Sequence, residues 1–164
     1  MSLPLQEHFG SVAIEEILIK YASHVEFLGG DLNDVEQVGA FGSQIIHLAS
    51  FANQCTDIVA LLQAGANTNA VGDLGLRPLH YAVLGGAIEA AYILLQSGAN
   101  VLNENEFGET PAQMAGILNE LALEEMLSFC IVGQIGACHD GGSIARRRWL
   151  DFRAIQQENF YPYP

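Results

Sequence analysis

Apolar residues fall at three- and four-residue steps along much of the chain, the spacing of a helix with one buried face. Over residues 11–28, Val12, Ile14, Ile17, Leu18, Tyr21, Val25 and Leu28 make one stripe, leaving Glu15, Glu16, Lys20 and His24 for a wet face. The pattern predicts an amphipathic helix that Gly29 and Gly30 stop. Short helix pairs follow. Residues 42–49 open one helix and residues 57–62 a second, which Gly65 ends; residues 108–115 and 119–129 form a later pair. Between them, residues 72–103 carry the fullest version, with Pro78-Leu79-His80-Tyr81-Ala82 in the first helix and Gly98 closing the second. Beyond residue 130 the pattern changes. Residues 133–143 hold four glycines and read as loop, whereas Ile144, Trp149, Phe152 and Ile155 predict a helix over 143–157 with arginines opposite. Residues 158–164 form an extended aromatic-proline tail.

The landmarks recur at a distance of 33 residues. Gly42, Gly75 and Gly108 form one series and Ala49, Ala82 and Ala115 another, while Pro78 returns as Pro111, His47 as His80 and Gly65 as Gly98. A period of 33 with an Arg-Pro-Leu-His-x-Ala core and a Leu-Leu-x-x-Gly-Ala-Asn close resembles the ankyrin repeat. The resemblance covers about residues 30–129. It implies an all-α solenoid of helix pairs joined by β-hairpin-like loops: a degenerate N-terminal capping repeat over 1–38, three repeats over 39–129, and a non-repeat C-terminal segment over 130–164 packed on the last repeat. Terminal repeats need a polar outer face, which suits the degenerate start.

Each landmark has a physical job. Thr110 suits a helix N-cap, and Pro78 and Pro111 suit the first turn, where a missing N–H is harmless. Leu79 and Ile46 point into the stack, and the small Ala49, Ala82 and Ala115 let helices approach. Gly65 and Gly98 supply a left-handed helix end. Gln44 and Arg77 stand where Thr110 recurs, so their caps should be weaker by about 1 kcal/mol each.

The charge is lopsided. Residues 1–145 hold 17 acids against Lys20 and Arg77, and residues 146–164 hold Arg146, Arg147, Arg148 and Arg153 against Asp151 and Glu158. An acidic body repels phosphate backbones, which argues against nucleic acid and suits a basic protein partner; it also keeps an apolar-rich chain soluble. The arginine run either pairs with that body or meets a partner. Cys55, Cys130 and Cys138 are odd in number and irregular in spacing, against a disulfide framework. No stretch reaches 18 apolar residues and no export signal opens the chain, so a cytoplasmic protein with no membrane contact is expected.

Catalytic patterns are weak. His47 and His80 occupy equivalent repeat positions, where the resemblance assigns histidine to bonding neighbouring loop backbone. Cys130 and Cys138-His139 lack the paired spacing of a zinc site. Cys138-His139-Asp140 names the residues of a triad but places them consecutively, projecting apart. Residues 133–138 lack the Lys-Ser/Thr end of a phosphate loop. No catalytic residue, cofactor or metal is assigned, and an enzyme using Cys138 and His139 is a remote alternative.

In the family that the chain resembles, partners dock on hairpin tips and on the exposed side of first helices. The 33-residue register puts Phe41, Leu74 and Phe107 at the tips and Phe51, Leu84 and Ile117 at the ends of the first helices. Binding residues are therefore expected at Phe41, Ser43, Phe51, Asp73, Leu74, Leu76, Leu84, Glu106, Phe107 and Glu109. The competing expectation is that the tips pack hairpin on hairpin and the helix ends lie partly buried. By resemblance, a small acidic ankyrin protein suggests a stand-alone bacterial immunity or antitoxin protein, favoured as a monomer and blocking a basic partner; the alternative is an effector or regulator of a host or signalling protein.

Overall fold

A computed structural model describes residues 5–28 and 31–136. Seven α-helices stand among them and no strand. They are α1 (Leu5–Ala22), α2 (Ile45–Phe51), α3 (Cys55–Gln63), α4 (Pro78–Leu84), α5 (Ile88–Gln96), α6 (Pro111–Ile117) and α7 (Leu121–Gly136). The expected all-α solenoid is what these residues form. Helices α2, α4 and α6 stack on one another as one layer, and α1, α3, α5 and α7 as a second. One continuous core runs through the stack. Ala49, Ala82 and Ala115 are fully buried at equivalent positions, with Ile46 and Leu79 beside them.

Local chemistry sets the helix ends. At Gly65 (φ +100°) and Gly98 (φ +89°) the chain turns left-handed. The following N–H groups of Ala66 and Ala99 then reach back to the carbonyls of Leu61 and Leu94, both at 2.9 Å. The third repeat has Ile131 at this register position, which has no such freedom. Helix α7 therefore runs on to Gly136 instead of ending near residue 129, and residues 133–136, expected as loop, are helical.

The N-terminal expectation also needs correction. The first helix is Leu5–Ala22, not residues 11–28, and a 3-10 turn at Val25–Phe27 follows it. Val25 and Leu28, expected on its apolar face, are exposed. The helix stops because His24 caps the 3-10 turn, its Nδ1 accepting the N–H of Glu26. That turn swings Glu26 under the first hairpin, where its buried carboxylate accepts the N–H groups of Phe41 (3.1 Å) and Ser43 (2.7 Å). Helix α1 is pinned to α3 by Asp57, which takes Lys20 Nζ at 2.6 Å and the Tyr21 hydroxyl at 3.1 Å. Burial, and then Asp57, pushes the Tyr21 hydroxyl well above its ordinary value. The helix expected over 143–157, with Trp149, lies outside the described residues, as do Gly29, Gly30, Cys138 and His139.

Candidate protein-binding face

Three loops of equal construction cross the stack. In each, one backbone bond closes a five-residue turn: Gly39 N–H to Ser43 O, Gly72 N–H to Leu76 O, and Asn105 N–H to Glu109 O, at 2.8, 2.8 and 3.0 Å. The first position of the turn is filled in three ways. Asn105 Oδ1 accepts the N–H groups of Phe107 (2.9 Å) and Glu109 (3.0 Å). At Gly39 the Glu26 carboxylate takes that part, and any Cβ on Gly39 would collide with it. A Cβ on Gly72 would press on the imidazole of His47.

The histidines are framework. His47 and His80 are fully buried. Their Nδ1 atoms accept the N–H of Gln44 (3.0 Å) and Arg77 (3.1 Å), and their Nε2–H groups donate to the carbonyls of Ala70 (3.2 Å) and Glu109 (3.1 Å) in the following loop. Gln113 does the first of these jobs in the third repeat, accepting the Thr110 N–H at 2.8 Å. Burial pushes His47 down to about 4 and lowers His80, so both stay neutral. As expected of weaker caps, neither Gln44 nor Arg77 makes a side-chain cap bond, whereas Thr110 does. Gln44 Oε1 and Arg77 Nε are buried without a partner.

The tips of these loops stand in solvent. Phe41, Leu74 and Phe107 are 60%, 44% and 68% exposed. Phe51, Leu84 and Ile117, at the ends of α2, α4 and α6, are 51%, 41% and 67% exposed. Asp73 and Glu106 are exposed beside the tips. Three expected contact residues differ. Ser43 is buried and its hydroxyl bonds Tyr81 OH at 2.6 Å, so it serves the fold and not a contact surface. Leu76 is half-buried and packs on the core. Glu109 is half-buried, its Oε2 accepting from the Asn105 amide at 3.0 Å.

Both cations of the described residues are turned away from the tips: Lys20 to Asp57, and the Arg77 Nη1 to the Asn69 carbonyl at 2.9 Å. The face therefore joins two apolar rows to acidic borders. No group of three His, Cys, Asp or Glu suited to a metal stands among the described residues.

A family model of ankyrin repeats, three copies, matches residues 11–105 and again 46–131. The chain belongs to the ankyrin-repeat family. No curated protein matches it significantly. In this ankyrin-repeat protein the repeats form a protein–protein interaction module. None of its described helices is long and apolar enough to cross a membrane.

Sequence reasoning missed Asn53, Glu26 and Tyr81. Asn53 was within reach, because it shares a register position with Gly86 and Asn119, and all three are left-handed, at φ +53°, +61° and +60°. A recurring Asn or Gly signals that backbone. Glu26 gave no such sign, since its partners lie 15 and 17 residues away.

Proposed function

We propose that this ankyrin-repeat protein is a non-catalytic binding module. It holds a partner on the face made by Phe41, Leu74 and Phe107 at the tips and Phe51, Leu84 and Ile117 at the helix ends, edged by Asp73 and Glu106. The observation that carries this reading is the exposure of all six apolar residues at register-equivalent positions. A repeat stack does not need apolar side chains in solvent, and a contiguous apolar strip inside a charged border has the make-up of an interface. The negative edge suits a basic partner and would speed its approach.

Within that reading, the finer proposal is an immunity- or antitoxin-type inhibitor that occludes a basic protein. Affinity capture with the wild-type chain and with a Phe41→Ala/Phe107→Ala variant tests the face. Each anchor should contribute about 2 kcal/mol to binding, while the melting temperature of the variant stays at the wild-type value. Partner retention by the variant at full affinity would refute the face. Inhibition of the captured protein's activity would support the inhibitor role, and binding without inhibition would favour a regulator.

A further inference from the structure

Two of the three tips are braced by the same pair of bonds drawn from different sources. In the third loop, Asn105 Oδ1 takes the N–H groups of Phe107 and Glu109, so that loop holds its own tip. The register-equivalent N–H groups of the first loop belong to Phe41 and Ser43, and both go to Glu26 Oε1, which stands 15 residues before Phe41. The middle loop uses its own backbone, with the Leu76 N–H turned to the Asp73 carbonyl at 3.0 Å. We propose that Glu26 is a positioning residue of the binding face. From beneath the hairpin it holds Phe41 in the pose that a partner meets. The inference rests on the proposed binding face and adds the N-terminal segment to it.

Glu26 is only 5% exposed, and the cations of the described residues bond elsewhere, Lys20 to Asp57 and Arg77 to Asn69. A buried carboxylate without a cation is costly unless hydrogen bonds offset it. The hairpin amides supply those bonds. The Glu26 carbonyl adds another, taking the Ala40 N–H at 2.7 Å, so side chain and main chain together grip residues 40, 41 and 43. Bonds to an ionised acceptor are about twice as strong as bonds to a neutral one. The grip on the first tip is therefore firm.

A tip ordered in advance spares a partner the cost of ordering it. Where only a fraction of molecules hold the tip in place, the apparent dissociation constant rises by the inverse of that fraction. The His24 N–H bonds the Tyr21 carbonyl at 2.9 Å, and His24 Nδ1 accepts the Glu26 N–H at 3.2 Å. These bonds tie Glu26 to the end of α1 that Asp57 anchors through Tyr21. The degenerate first repeat thus belongs to the site as well as to the end of the stack.

Chymotrypsin, which cuts after exposed phenylalanine, reads each tip of the full-length chain without any partner. Under native conditions its cutting follows the population of the locally open loop, and mass spectrometry separates the cut after Phe41 from the cut after Phe107. Glu26→Ala should raise cutting at Phe41 at least about tenfold and leave Phe107 at the wild-type rate. Asn105→Ala should do the reverse. Glu26→Gln keeps an acceptor oxygen, so cutting at Phe41 should stay near the wild-type rate. Equal rises at both sites in Glu26→Ala would mean general loosening and overturn the inference. A glutamine variant as open as the alanine variant overturns it too. For the protein captured by the wild-type chain, Glu26→Ala should weaken retention about as much as Phe41→Ala does. Full retention by Glu26→Ala beside loss by Phe41→Ala overturns the positioning role alone, whereas full retention by both refutes the face.

Discussion

Asn53 Oδ1 accepts the backbone N–H of Ala90 at 3.0 Å, so the turn inside one repeat caps a helix of the next. Helix α5 has no side-chain cap of its own, since its N-cap is Ala87. Ala90 is its third residue, and its N–H would otherwise lack a partner. Asn53→Ala should destabilise the protein by about 1–2 kcal/mol, combining a lost cap with a left-handed backbone that alanine tolerates poorly. Asn53→Gly should cost less, because it keeps the backbone free. Equal urea midpoints for the two variants would show that the left-handed backbone contributes nothing, and a wild-type midpoint for Asn53→Gly would show that the cap contributes nothing.

Acid should loosen the repeats through the buried histidines. In the unfolded chain His47 takes a proton near 6.5, and in the fold only near 4. The unfolded state therefore binds more protons between those values, so this contribution to stability is complete above about pH 6.5 and lost as pH falls toward about 4, on the order of 3 kcal/mol for His47. Glutamine keeps the N-cap acceptor, as Gln113 does in the third repeat. Chemical denaturation across this range should give a flatter pH dependence for His47→Gln than for wild type.

Gly85 tests close approach and not backbone freedom. Its φ of −86° is open to any residue, and alanine there would by itself be mildly favourable. A Cβ, however, would fall on the backbone carbonyl of Phe51 in the preceding repeat. Leu118, at the same register position one repeat later, carries a side chain that is 44% exposed. Gly85→Ala should thus destabilise by about 1–3 kcal/mol by prising the first two repeats apart. A melting temperature at or above wild type would refute the close contact.

Leu74 is left-handed at φ +53°, ψ +25°, a conformation its side chain disfavours. Its carbonyl accepts the Glu106 N–H of the next hairpin at 2.9 Å. Leu74→Gly relieves about 1–2 kcal/mol of that strain and loses about 0.4–1 kcal/mol to the freer unfolded chain. Stability should hold or rise slightly while partner binding weakens. A drop in the melting temperature would show that the leucine serves the fold.

Local signals explain why the repeats were legible. Pro78, Pro111, Gly65 and Gly98 each act within one helical turn of themselves, so their recurrence marks helix starts and ends without reference to the rest of the molecule. The failures have the opposite character. Ser43 sits beside a tip and looks available, but Tyr81, 38 residues on, buries its hydroxyl. The first helix ends six residues before its apolar stripe does, because Glu26 is needed beneath the first hairpin.

The 33-residue register alone determined the family, the helix pairs and the equivalence of Phe41, Leu74 and Phe107, since each repeat's period encodes contacts only with its neighbours. Which of those side chains stand in solvent, and which loop atoms cap or brace the next repeat, only the tertiary structure decided. Exposure and cross-repeat hydrogen bonds depend on how tightly one repeat is pressed on the next, and that spacing is set by the packing of the whole stack.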